Sequence, residues 1–598
     1  MTIPRRMMKA MIDQRNYISI TLLLLIFFAA SVRIVAQVPT PTPLSTETQD
    51  GLPSDPPPIA PDFKAPARPL PSSERVGVDI TNQLSLTLEQ AIEMALKNNN
   101  DIDASRNDVK IAEFGLRGAK GIYDPLIGAE SYYESRTTPT ASTIGGATNG
   151  AVTVKQFFGN TGVTGFSPYK GGSYSAGFTS SRTDTSNLNA TLNPQYPADL
   201  TFRYTQPLLR NFGIDANRRN IEIAKKNLSL SDSQFRQKAI EVVTLVEQNY
   251  WDLAYSLRNL QVQIEAVRQA RTQLESNQRL VAKGVLAPID IVAATAQITT
   301  LEQNVYTAQE AVTRSENALK ALLTEDRGND IWSRPLTPVS PITLEPPRIG
   351  LEAAISQAIE NRPEIEQFQT TREINEINRK YFRNQTKPQI DLYGAYTMSG
   401  LAGAATPPRA TTPSALTTRV NELSALAGFP DLPVGTTTSS VPPNLVGGYF
   451  NSLGNLIGQD YPTYRAGVTI SLPWGNTVAK ADLGRTLVEG ERIKNLSDQA
   501  ENMIEAEVRN ALQAIRSAES RLASALAART AAEQLAESEE RQFKAGTTTF
   551  YLVLQRQTEL LTARSRELQA QTDLNRAIAE FQRATGTTLK VNNVSISK

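Results

Sequence analysis

From Ala239 onward the apolar residues of this chain step alternately by four and three, through Val243, Val246, Tyr250, Leu253, Leu257, Leu260, Ile264 and Val267, missing only at Arg271 before Leu274. A repeat of 3.5 residues holds one apolar stripe on one helix face, so the pattern predicts a helix from about Asp215 to Ala282 packed lengthwise on a partner. At 1.5 Å per residue it is roughly 100 Å long. The partner follows at once, because Ile298, Leu301, Val305, Val312 and Leu319 continue the step between Ile291 and Leu323. No globular core spans such a length, and these helices require an extended assembly.

The arrangement occurs twice. Thr87-Leu88-Glu89-Gln90-Ala91-Ile92 returns as Gly350-Leu351-Glu352-Ala353-Ala354-Ile355 at an offset of 263, and Ala95, Asn98 and Ile102 return as Ala358, Asn361 and Ile365. Pro125 and Ile127 meet Pro388 and Ile390 at the same offset, Pro207 meets Pro473 at 266, and Lys283-Gly284 meets Ala545-Gly546 at 262. Each copy reads as short helix, strand, long loop, strand, very long helix, tight turn and shorter helix. The second long helices are expected over 477–544 and 550–585, with a looser, Ala-rich seam. The repeats are bounded at 81–340 and 341–590, with a tail at 591–598.

In Tyr464–Leu472 apolar residues hold every even position and small or polar ones every odd position, and Leu200–Thr205 does the same. Period-2 alternation gives a strand one apolar and one polar face, which suits either a half-buried soluble sheet or a tilted membrane strand. The segments 138–198 and 397–462 are rich in Gly, Pro, Ser and Thr. The first carries a hairpin signal of its own at 152–181, which the second copy lacks; if the strands close into a barrel above the helices, two more strands per chain would widen it relative to them, so the hairpin is expected to stand outside the wall.

The first 36 residues read as a cleavable secretory signal: Arg5, Arg6, Lys9 and Arg15 precede the apolar run Ile18–Ala30, and Ile34-Val35-Ala36 follows. Residues 37–80 form a flexible leader, with eleven prolines between Val38 and Pro71. The chain has no Cys and no His, which removes disulfides, thiolate nucleophiles, Cys/His zinc sites and imidazole catalysis. Lys+Arg total 61 against 60 Asp+Glu, a near balance that points away from nucleic acid. No acid/base constellation and no GxxxxGK loop is present. The chain therefore reads as a non-enzyme without cofactor or metal; a secreted trimeric coiled-coil structural or adhesive protein is the alternative to a membrane duct.

The residues that decide between these are the opening Leu86-Thr87-Leu88-Glu89-Gln90-Ala91-Ile92 with Asn98-Asn99, its echo Asn361-Arg362-Pro363-Glu364-Ile365, the junctions Thr205-Gln206-Pro207-Leu208-Leu209 and Ser471-Leu472-Pro473-Trp474, and the turn Lys283–Ile291. In these the sequence resembles the TolC-type outer-membrane efflux proteins over nearly the whole mature chain. The resemblance implies a mixed α/β membrane protein: a homotrimer with four main strands per chain in a twelve-stranded outer-membrane β-barrel, continued by a long periplasmic α-helical barrel. It implies a passive exit duct for efflux or type I secretion in the outer membrane of a Gram-negative-type cell, in contact with outer-membrane lipid. An inner-membrane pump would engage it through a periplasmic adaptor (membrane fusion) protein.

The same resemblance makes the hairpin tips the periplasmic aperture and adaptor-docking site: Gly284, Val285, Leu286, Ala287 and Asp290 at the first, Gly546, Tyr551, Leu552 and Gln555 at the second. Two departures stand out. Tyr551-Leu552-Val553-Leu554-Gln555 occupies a stretch where the family often has Asp, which puts an acidic cation-binding ring there in doubt, and Asn100 takes a loop position often held by Pro. Asp290 reads equally as gate or as a charge favoured at a helix start. Pro125, Pro207, Pro388 and Pro473 are expected at junctions, because proline lacks the N–H that a ladder or helix uses. Arg203 and Arg465 lie on polar strand faces and are expected to face the lumen. Tyr250, Trp251 and Tyr255 read as seam packing.

Overall fold

The computed structural model describes residues 75–141, 145–147, 149–341, 346–407, 415–432 and 441–595. The expected signal at 1–36, most of the leader at 37–80 and the end of the tail lie outside the described residues.

Each half runs helix, helix, strands, long helix, shorter helix, with four strands in the first and two in the second. The first contains α1 (Leu88–Asn98), α2 (Asn100–Lys120), β2 (Leu126–Pro139), β3 (Ala151–Phe166), β4 (Ser173–Thr185), β5 (Leu192–Pro207), α3 (Ala216–Ala282) and α4 (Ile289–Leu323). The second contains α5 (Leu351–Asn361), α6 (Pro363–Gln385), β7 (Gln389–Ala405), α7 (Ala415–Leu426), α8 (Tyr449–Ile457), β8 (Tyr461–Ser471), α9 (Thr477–Lys544), α10 (Phe550–Ala584) and α11 (Thr588–Val591). Two three-residue strands, β1 (Leu84–Leu86) and β6 (Leu336–Pro338), pair in parallel beside the long helices.

The single short helix expected at the head of each copy is a broken pair. Asn99 has extended backbone, and its side chain accepts from the N–H groups of Asp101 and Ile102, starting α2 one residue after α1 ends. Pro363 occupies the first position of α6, where its missing N–H costs nothing. Asn100, expected in a loop, is the corresponding first residue of α2.

The heptad stripe is the core. Val243, Val246, Leu253, Val305, Val312 and Leu319 are completely buried in one cluster along α3 and α4. At the heptad miss, Arg271 donates to Glu302 of α4 at 2.5 Å, so an ion pair bridges the two helices there. In the second copy Val508, Leu512, Ile515, Ala518 and Leu522 of α9 meet Ala570, Leu574 and Phe581 of α10. Tyr250 does more than pack: its hydroxyl donates to Leu86 O (2.9 Å) and accepts from Ser340 N–H (2.9 Å), bolting α3 to the β1–β6 pair. Nearby, Glu316 is enclosed by Arg75, Lys320 (3.0 Å) and the N–H of Leu336 (2.9 Å). The tail is not loose at its start, since Val594 packs on the first core cluster.

The strands form one antiparallel sheet of order β2-β3-β4-β5-β7-β8. The four main strands β2, β5, β7 and β8 are present, but the hairpin at 152–181 does not stand outside them. It supplies β3 and β4, full-length strands inserted between β2 and β5, and every residue from Leu126 to Pro139 has a partner on β3. The reason is geometric: α2, α3, α6 and α9 pack side by side below the sheet, an arc of about 40 Å at ~10 Å per helix. Six strands ~4.8 Å apart and tilted by ~40° span a similar ~37 Å. The hairpin therefore matches sheet to helices.

Candidate functional site

The far ends of the two long hairpins are built alike. At the first, Gly284 adopts φ +74°, its N–H bonds Val281 O (2.9 Å) and the N–H of Val285 bonds Leu280 O (2.9 Å). At the second, Gly546 adopts φ +75°, with its N–H on Phe543 O (3.0 Å) and that of Thr547 on Gln542 O (3.0 Å). Both are left-handed glycine helix stops that satisfy the last free carbonyls. Pro288 then precedes α4, and Asp290 lies in its first turn, where a negative charge is favoured.

The two turns differ in chemistry. At the first, Val285 (66% exposed) and Ile289 (67%) stand in the open, with Leu286 and Asp290 half-buried and Ala287 exposed. At the second, Phe550 and Val553 are buried, and the Phe550 ring meets Phe543 at 5.8 Å. Tyr551 (72% exposed), Leu552 and Gln555 face outward. Gln297 of α4 donates to Thr558 of α10 at 3.1 Å, which ties the hairpins together above both turns.

Tyr551 and Gln555 open onto a groove of about 1130 Å³ running up α10 between α4 and α9. Its walls are mostly small or short: Ala296 and Thr300 on α4, Ala525 and Ala528 on α9, Leu554 and Thr562 on α10. Arg521, Glu559, Arg566 and Asp573 place charges along the same lining. Gly284, Val285, Leu286, Ala287 and Asp290 lie outside its lining, as do Gly546 and Leu552. The sequence pattern missed the groove because it arises between hairpins; the clue available was the Ala-rich seam of the second copy. Among the described residues no group of acidic side chains is gathered to hold a metal ion.

At the opposite end the prolines sit where strands meet helices: Pro125 directly before β2, Pro388 directly before β7, Pro207 as the last residue of β5 and Pro473 just beyond β8. Arg203, Ala395 and Arg465 fall in one cross-strand row, and the Arg203 guanidinium lies 5.4 Å from the Tyr393 ring centre. That row shares a face with Glu130, Asp199, Thr201, Asp391, Thr397 and Ser399. The other face carries Ile127, Val163, Phe178, Leu200, Phe202, Leu392, Val468 and Ile470. A sheet thus divided separates water from an apolar medium.

The profile of the outer membrane efflux protein family matches residues 173–325, from β4 to just past the end of α4. No curated protein matches in sequence. Among solved structures, the outer-membrane channel OprN is 15% identical, with 88% of this chain and 99% of that one covered at a TM-score of 0.56. The CmeC outer membrane channel of Campylobacter jejuni is 14% identical, with 84% and 86% covered and a TM-score of 0.55. The outer membrane protein VceC of Vibrio cholerae is 15% identical, with 83% and 96% covered and a TM-score of 0.52. The likeness to TolC-type outer-membrane efflux proteins therefore holds in profile and in fold.

Proposed function

We propose that three copies of this chain close into a passive exit duct, whose sheet crosses the outer membrane and whose helices reach through the periplasm. The observation that carries this reading is the division of the six-stranded sheet into a polar, charged face and an exposed apolar face, whose charges Lys155, Arg182 and Asp184 gather towards one end of β3 and β4, continuous with helices of 67 and 68 residues. The sheet ends in two edge strands, β2 and β8, each with one side unpaired. Open edges invite pairing, and β8 of one copy meeting β2 of the next gives a closed ring of eighteen strands from three six-stranded sheets. A secreted coiled-coil protein would leave the apolar face in water, at a cost of roughly 25 cal/mol for each Å².

Energy and substrate choice come from partners. An inner-membrane pump engages the helix tips through a periplasmic adaptor, whose helices occupy the groove along α10 and meet Tyr551 and Gln555 at its mouth. Gly284 and Gly546 fix the tips, Val285, Leu286 and Ala287 supply apolar contact, and Asp290 and Leu552 face the aperture. Arg203 and Arg465 line the lumen, while Pro125, Pro207, Pro388 and Pro473 turn the chain between sheet and tunnel. Extraction from isolated outer membranes followed by mass measurement should give a trimer that conducts ions in planar bilayers. A soluble periplasmic monomer would overturn the reading.

A further inference from the structure

Helix α8 is built inside out. It buries Ser452, Asn455 and Leu456 against the protein and turns Phe450 (83% exposed) and Ile457 (76%) outward. It carries no charged residue. Its seat is the apolar face of the sheet, over β5 and β7: a Cβ added to Gly400 would lie 2.1 Å from Ser452 O, so only glycine admits the helix this closely. Ala198 and Ala402 are sealed beneath, and Asn455 donates to Leu401 O (2.8 Å) and Asn444 O (2.9 Å). Although Leu456 lies inside and Asn451 outside, the exposed side is dominated by Tyr449, Phe450 and Ile457 with no charge, a face suited to lipid rather than water.

Beside α8 on the same face lies a groove of about 550 Å³, within the ~300–1,000 Å³ typical of ligand sites. Phe157, Gly159 and Thr161 of β3 and Phe178 of β4 line it, and Tyr196 and Tyr449 close one side, their rings 6.4 Å apart. Arg182 stands at its upper end, opposite Phe157 in the ladder and 3.2 Å from Asp184, while Lys155 lies directly across from Asp184. Arg182 thus stands at the mouth of an apolar slot with one carboxylate partner, and Lys155 follows on the same face just beyond the lining.

The height of the slot identifies its occupant. From Ile390 to Gly400 the apolar face rises about 34 Å along β7, or ~26 Å at a tilt of ~40°, close to the ~25 Å apolar band of a membrane barrel. In the sheet Ser180 pairs with Ala198 and Ala198 with Gly400, so in ladder register Arg182, two residues further along β4, lies past the end of the apolar stretch Ile390–Gly400. We propose that the groove binds one acyl chain of a phosphate-bearing membrane lipid, with the phosphate beside Arg182 and α8 covering the chain. This rests on the reading of the sheet as a membrane wall. An acyl chain satisfies the aromatic and small side chains of the lining, whose one carboxylate, Glu130, belongs to the opposite face of β2, and the phosphate satisfies Arg182 at its end.

The test is native mass spectrometry of the delipidated, detergent-solubilised protein titrated with phosphatidylglycerol, and with monogalactosyl diacylglycerol as a phosphate-free lipid. Gly159→Trp fills the slot and should weaken phosphatidylglycerol binding about ten-fold or more. Ala129→Phe fills it from β2 and should do the same if Gly159→Trp fails to fold. Arg182→Gln should weaken phosphatidylglycerol about five-fold and leave the galactolipid unchanged. Val468→Trp, on the same apolar face at the far edge of the sheet, should change neither. Undiminished phosphatidylglycerol binding in the filled variants, or an equal loss of both lipids in Arg182→Gln, overturns the site while leaving the duct intact. A soluble protein without a membrane fraction would instead overturn the membrane wall itself.

Discussion

Glu247 of α3 is buried among apolar side chains, with Asn592 donating to its carboxylate from beyond α11. Burial pushes its pKa from an ordinary 4.5 up to about 7, against the smaller opposing effect of the Asn592 hydrogen bond. The folded chain thus holds a proton that the unfolded chain releases, and stability is lost as pH rises through the window between those two values. At ~1.36 kcal/mol per pH unit, the ionisable group costs about 3 kcal/mol at pH 8 and under ~1 kcal/mol at pH 5. Glu247→Gln keeps an oxygen for Asn592 and removes the titration. Thermal unfolding followed by circular dichroism from pH 5 to pH 9 should show the variant gaining on the wild type up to about pH 7 and holding its advantage above. A difference between the two proteins that is flat across pH, or a variant less stable at pH 8, would refute the reasoning.

Tyr250→Phe removes the hydroxyl that joins Leu86 O and Ser340 N–H, and should cost about 1–3 kcal/mol in the same melting assay. Glu316→Gln leaves Arg75 and Lys320 buried together without their carboxylate; a loss of about 3–5 kcal/mol is expected, and a neutral outcome would show that solvent reaches the cluster. In planar-bilayer recordings multivalent cations should block the duct weakly, Asp290→Ala should reduce that block and Leu552→Asp should strengthen it, since each carboxylate ring adds to cation capture. If Asp290 only favours its helix start, its removal costs about 0.3–1 kcal/mol and leaves the block unchanged.

What was legible in the sequence was whatever a local period carries. Val243, Val246, Leu253, Val305, Val312 and Leu319, taken from the heptad step alone, are among the fully buried residues of the long hairpin. The strands were visible as alternation, but the place of β3 and β4 in the sheet depends on ladder partners outside either strand, and alternation says nothing of neighbours. Tyr250 read as a seam residue because its partners lie 164 and 90 positions away in the chain. The β1–β6 pair has three residues per strand, too few for any period to register. Helix α8 escaped notice because Ser452 and Asn455 face the protein while Phe450 and Ile457 face outward, which blurs the amphipathic pattern that marks a soluble helix. At the tips the two glycines announced themselves, whereas the groove beside Tyr551 and Gln555 exists only once two hairpins lie side by side.

The inserted hairpin also bears on where passage is restricted. A barrel's diameter grows nearly in proportion to its strand number, so a ring of eighteen strands encloses roughly twice the open area of a ring of twelve. Under the proposed trimer, the strand wall would then sieve by size less than a twelve-stranded one, and selection by size would fall to the helical part of the duct, where the glycine-ended tips carry few exposed side chains.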